Sequence, residues 1–151
     1  MNLWQTFEMG KNQSFENQEI IFHYEKGIDY ELKKLYHSFG KWLKSNYVFP
    51  VRINIYILNC EKIRLRNGQM AYGSFRWFPH KTPIIKIPSA VEKGLLNDYT
   101  IDEIHEQILS SLVHELTHYY QWILNLEQSN SLSERQANYY RYRIIEKYYN
   151  R

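Results

Sequence analysis

Residues 112–118 read Leu-Val-His-Glu-Leu-Thr-His. Two imidazoles stand four residues apart, and a carboxylate follows the first. An α-helix turns about 100° per residue, so His118 lies about 40° round from His114 and one turn along, and both rings can converge on one ion. Glu115 is about 100° from His114. It reaches a water beside the ion more readily than the ion itself. That is the arrangement of zinc-assisted hydrolysis, in which zinc lowers the pKa of water to about 7 and a carboxylate takes the proton. With 6 His among 151 residues, chance supplies the bare His-Glu-x-x-His pattern only roughly 2% of the time. The pattern is therefore worth pursuing as chemistry.

The rest of the helix supports that reading. Gln107, Ser110, Ser111 and Gln121 fall near the histidines on one polar face. Ile101, Ile108, Leu112, Leu116, Tyr119 and Ile123 fall on the opposite, apolar face. Such a helix packs one side into a core and turns the histidines toward a polar space.

Catalytic zinc takes three protein ligands and keeps one position open. No histidine follows His118, and Cys60 stands alone upstream. The carboxylates left are Glu127, Glu134 and Glu146. Glu127 is too near the helix end for the chain to turn back, and Glu146 is near the tail. Glu134, sixteen residues after His118, leaves room for a turn and a returning helix. A competing reading makes Glu134 the last member of a Ser131-Leu132-Ser133-Glu134 capping box. Glu134, Ala137, Asn138, Arg141 and Ile145 share one helical face. Ala137 lets two helices approach, and Asn138 is suited to hold the outer nitrogen of a ligand histidine. Arg141 either binds a substrate carboxylate or oxyanion, or pairs with a glutamate.

His114-Glu115-Leu116-Thr117-His118 followed by Glu134-Arg135-Gln136-Ala137-Asn138 resembles the gluzincin metallopeptidases. The second piece also looks like the Glu-x-x-Ala-Asn element of the ImmA/IrrE-type peptidases, and the small size is similar to that of the minimal gluzincins. The resemblance covers roughly residues 70–145. It implies a zincin-like metallopeptidase domain, Zn²⁺ as cofactor, His114, His118 and Glu134 as metal ligands, and Glu115 as the catalytic base of an endopeptidase. Many gluzincins carry Asp where Asn138 stands. A SprT-like peptidase is similar in size, but its third ligand is a histidine, which this chain lacks. The other reading is a non-catalytic module, zinc-stabilised or metal-free, that binds a peptide or protein.

These residues need elements to position them. Ile20–Tyr24 reads as a strand. The apolar positions Ile28, Leu32, Leu35, Phe39 and Trp42–Leu43 recur with helical period, and Gly40 weakens that helix. Val51–Leu58 alternates as a half-buried strand. Asn67-Gly68 is a turn signal. Met70–Trp77 reads as a strand broken at Gly73, followed by a loop, Phe78–Pro83, and a short strand, Ile84–Ile87. Thr100 and Glu103 have capping-box spacing and open a helix to about Leu124. A polar connection leads to a last helix over 132–149. The order predicts an α+β fold with a small, mostly antiparallel sheet, an active-site helix and a C-terminal ligand helix, in one domain over 1–151.

Composition bounds the rest. Hydrophobic residues make up 44%, with 14 Tyr, which is a folding composition. The formal charge is +3, with basic residues scattered, so no specific nucleic-acid partner is expected. One cysteine excludes an intrachain disulfide. No stretch has the length of a membrane span or a signal core, so a soluble, cytoplasmic protein is expected, with no membrane partner. Its oligomeric state is left open. His105 is expected in the core or at its boundary, and His80 in a loop. His23 and His37 have no evident partner. Tyr139, Tyr140 and Tyr142 offer hydroxyls to an oxyanion, and Phe75, Trp77 and Phe78 either line pockets or cover the sheet. A final helix starting at the metal carries the tail away from it, where the terminal carboxylate could reach only a neighbouring molecule's cleft and hold it latent.

Overall fold

The computed structural model describes residues 2–11 and 15–151. Within them the chain forms a mixed α/β structure with a small sheet and four α-helices. The four α-helices are α1 (Leu3–Thr6), α2 (Tyr30–Asn46), α3 (Ile101–Ile123) and α4 (Asn130–Tyr149). The strands are β1 (Ile20–Tyr24), β2 (Ile53–Leu58), β3 (Ile63–Arg64), β4 (Met70–Ala71), β5 (Ser74–Phe78) and β6 (Lys81–Pro88). A short 3₁₀ turn, Leu95–Asn97, precedes α3.

The main sheet has the order β1-β2-β6-β5. β1 pairs parallel to β2 and β2 parallel to β6, and only β5 and β6 run antiparallel. The expectation of a mostly antiparallel sheet is therefore corrected. The physical reason is connection length: α2 lies between β1 and β2, and a helical crossover returns the chain in the same direction. β5 and β6 are joined by a tight turn at Pro79-His80, which forces an antiparallel pair. The expected loop over 78–83 shrinks to that turn, and β6 extends back to Lys81.

β2 alternates as its sequence indicates. Ile53, Ile55 and Ile57 are fully buried beside Ile85 and Ile87 of β6. Gly40 has a positional role: a Cβ there would lie 2.7 Å from the Phe22 ring, so its absence lets α2 close down on β1. α3 lies between this sheet and α4. Its buried surface is wider than one stripe, adding Leu109, Val113, Thr117 and Tyr120 to the expected Leu112, Leu116 and Tyr119. Ile101, at the helix start, is exposed.

α1 is an element that periodicity alone does not reveal. It is one turn long, yet Leu3 and Trp4 are buried. The Trp4 indole N–H donates to Thr117 Oγ1 at 3.0 Å, which satisfies two polar groups inside the core. Trp4 also meets Tyr47 and Tyr120 edge-on, and Phe7 stacks on Tyr120. Near the end of α4 Tyr148 packs against Phe39 and Trp42 of α2, and no residue after Arg141 lines the cleft that holds the histidines. The tail therefore stays away from its own site, as expected. Removing Tyr148 would open the core. Among the described residues no helix is long and apolar enough to cross a membrane.

Candidate metal centre

α3 begins where its sequence says. Thr100 Oγ1 accepts from Glu103 N at 3.1 Å, and Glu103 Oε1 accepts from Thr100 N at 3.0 Å. α4 begins two residues earlier than expected, and its N-cap is Ser129, whose hydroxyl accepts from Leu132 N at 3.2 Å. The Ser131–Glu134 capping box therefore does not form. Glu134 lies inside the first turns with its carboxylate free for another task.

That carboxylate faces both histidines. His118 Nε2 is 2.9 Å from Glu134 Oε1, His114 Nε2 is 3.1 Å from Glu134 Oε2, and the two Nε2 atoms are 3.3 Å apart. Donor atoms sharing a tetrahedral zinc at about 2.0–2.1 Å stand about 3.3 Å from one another. The nitrogen pair stands at that edge length, and the two carboxylate oxygens, one facing each histidine, lie slightly closer. His114, Glu115 and His118 also form a group whose ligand atoms lie within 4.8 Å of one another.

The tautomer of His118 can be worked out from its neighbours. The Gln121 amide N donates to Ser133 O at 3.0 Å and Gln136 Oε1 at 2.9 Å. A backbone carbonyl only accepts, so this fixes which end of the Gln121 amide is nitrogen. Its oxygen then accepts from His118 Nδ1 at 2.8 Å, and the Nδ1 carries the proton. That leaves His118 Nε2 as the atom that faces Glu134. A proton or a metal ion between this nitrogen and the carboxylate oxygen 2.9 Å away makes the contact favourable. Burial, then the neighbouring His118, hold His114 below its ordinary pKa, with Arg141 adding to the effect and Glu134 opposing it. Neutral imidazoles are the form a metal requires.

Gln121 takes the orienting role expected of Asn138, which is exposed. The sequence signal was present: Gln121 lies on the histidine face of the same helix, three residues after His118. It was not separable from the other polar residues there. Because Gln121 also anchors Ser133, the residue before Glu134, it supports two candidate ligands together. Gln121→Leu should lower zinc affinity by about 10–100-fold, read by competition with a chromogenic chelator. An unchanged affinity would remove Gln121 from the site.

Glu115 is buried, and its Oε2 has no hydrogen-bond partner. Burial, then the Glu134 carboxylate, push its pKa up to about 8, with Arg141 opposing. Gly73 sits directly over it: a Cβ there would lie 3.0 Å from Glu115 Cγ. The break between β4 and β5 thus gives Glu115 its place at the edge of the sheet.

The cleft above these groups has a volume of about 840 Å³. Its walls include Ala71, Gly73 and Ser74 on the sheet edge and Arg141 on α4. Arg141 makes no ion pair among the described residues, so of the two roles open to it the glutamate pairing does not form. Its Nη2 donates to Ser110 Oγ at 2.9 Å and Ser111 Oγ at 3.5 Å. Trp77 is exposed and stacks on Trp122 beside the cleft. His105 is buried as expected, while His80 lies exposed at the β5–β6 turn and does not line the cleft. His23 is hydrogen-bonded to Asn54 and stacks on Tyr56. Tyr140 is committed to Gln5 in the interior.

The donor set fits zinc: two imidazole nitrogens and a carboxylate converge, and an unpartnered buried carboxyl stands beside them. No family model, no curated protein and no solved structure matches the chain.

Proposed function

We propose that the protein is a zinc-dependent hydrolase of peptide bonds with a zincin-like domain. The observation that carries the reading is the convergence of His114 Nε2, His118 Nε2 and the Glu134 carboxylate at 2.9–3.3 Å, an array whose donor atoms suit a shared cation. Those three residues would hold the metal. Bound there, zinc acidifies water and polarises a scissile carbonyl.

The chain's own residues do the rest. Glu115 accepts the proton of the attacking water and returns it to the departing amine. A carboxyl with a pKa pushed up toward neutrality is suited to both halves of that transfer. β5 is the sheet edge, so its outer backbone groups are available to an extended peptide, which would add as another strand. Gln121 holds His118 in register, and Gly73 leaves room for Glu115. The competing non-catalytic module drew its support from Glu134 acting as a helix cap, and Ser129 fills that place.

The test is cleavage of an unselected peptide pool followed by mass spectrometry. Zinc-loaded protein should cut it, a chelator should stop the reaction, and added zinc should restore it. A zinc-loaded protein that leaves every peptide intact would favour the binding module.

A further inference from the structure

A second cavity, of about 640 Å³, adjoins the metal cleft. Val91, Leu95, Ile104 and Ile108 supply apolar wall, and Tyr72, Ser111 and Arg141 line both spaces. Arg141 thus stands at the junction between a zinc-type site and an apolar pocket. Its guanidinium is held by serine hydroxyls, its Nε is buried without a hydrogen-bond partner, and no carboxylate among the described residues pairs with it. A half-buried guanidinium whose hydrogen bonds go only to hydroxyls, with Glu115 close enough to feel its charge but not paired with it, keeps donor capacity that an anion can fill. Of the acids lining this cavity, Glu92 is bonded to Tyr72 and Lys62 and Glu103 caps α3, while Glu61 and Glu106 stand on its wall and form no ion pair with Arg141.

We propose that Arg141 grips the terminal α-carboxylate of a peptide whose last side chain, bulky and apolar, fills this second cavity, so that the cut releases the C-terminal residue rather than falling at an internal bond as the endopeptidase expectation has it. This rests on the hydrolase reading and names its substrate class. In the reaction the oxygen of water bonds to the carbonyl carbon of the last peptide bond and the C–N bond breaks. The water proton passes through Glu115 to the departing amine. The products are the shortened peptide and a free amino acid. A planar guanidinium matches a carboxylate in two-pronged geometry, and the apolar wall selects the side chain beside it.

The experiment separates recognition from turnover. N-acetyl-L-phenylalanine and its C-terminal amide are titrated into the protein, and binding is read from NMR shifts. The acid should bind about tenfold or more tightly than the amide, the usual worth of a hydrogen bond to a charged group. That preference should persist in zinc-free wild-type protein, vanish in Arg141→Gln and be partly kept in Arg141→Lys. Equal binding of acid and amide, or a preference that survives Arg141→Gln, overturns the proposal. So does a preference that disappears with the metal, since the carboxylate would then be on zinc. Acid preference without peptide cleavage leaves this recognition standing and removes the hydrolase. Internal cleavage with equal acid and amide binding does the reverse.

Discussion

Glu134→Gln should lower zinc affinity by about a hundredfold or more, beyond the loss expected for a residue that only orients a ligand. The substitution keeps the size of the side chain and removes its charge. Helix α4 should not be disturbed, because Ser129 caps it and Glu134 makes no bond to the helix start. The His118 and His114 nitrogens would lose the carboxylate that faces them at 2.9 and 3.1 Å. Two imidazoles alone leave the metal with too few protein ligands for a stable catalytic site. The measurement is zinc affinity by chelator competition, with helical content followed by circular dichroism. Full zinc affinity with unchanged helicity would show that another group is the third ligand. A large loss of helicity would instead return Glu134 to a structural role.

Glu115→Gln should keep zinc and reduce turnover by about 10²–10⁴-fold, the usual worth of a positioned acid–base group. Gln occupies the same space under Gly73 but cannot carry a proton from water to amine. A variant that cleaves peptides as fast as wild type would end the mechanism. The same substitution has a second signature in zinc-free protein. Glu115 has its pKa raised from an ordinary 4.5 to about 8 in the folded state. Between those values the folded chain holds a proton that the unfolded chain has released. Stability therefore falls as pH rises through that window and levels off above about 8, for a total loss of a few kcal/mol. Melting curves of chelator-treated wild type should show this slope between pH 5 and 8, and Glu115→Gln should flatten it. Zinc should also flatten it, because a cation nearby favours the charged carboxylate.

Much of the local structure was legible because it is set by neighbours in sequence. The alternation of Ile53, Ile55 and Ile57 gave β2, the Thr100–Glu103 pair gave the start of α3, and the four-residue spacing put His114 and His118 on one face. The break at Gly73 was also visible, though not its reason, since the side chain it makes room for arrives from α3. The strand directions were not legible: a parallel pair and an antiparallel pair can show the same alternation, and the crossover through α2 decides between them. Nor was the docking of α1, where a single turn has no period to read and burial comes from Thr117, Tyr47 and Tyr120 far along the chain.

At the site itself the sequence alone determined which side chains could serve: two imidazoles on one helical face, a base one step round, and a carboxylate one helix later. The tertiary structure decided the assignments that depend on two helices meeting. Packing α4 against α3 turned Glu134 from a cap into a partner of both histidines, because the cap moved to Ser129. The same packing brought Ser133 and Gln136 to the Gln121 amide. That fixed the amide's orientation, then the proton on His118 Nδ1, and so left Nε2 to face the carboxylate. Arg141 was likewise left without an acid by the geometry of that interface, a consequence that spacing along one chain cannot express.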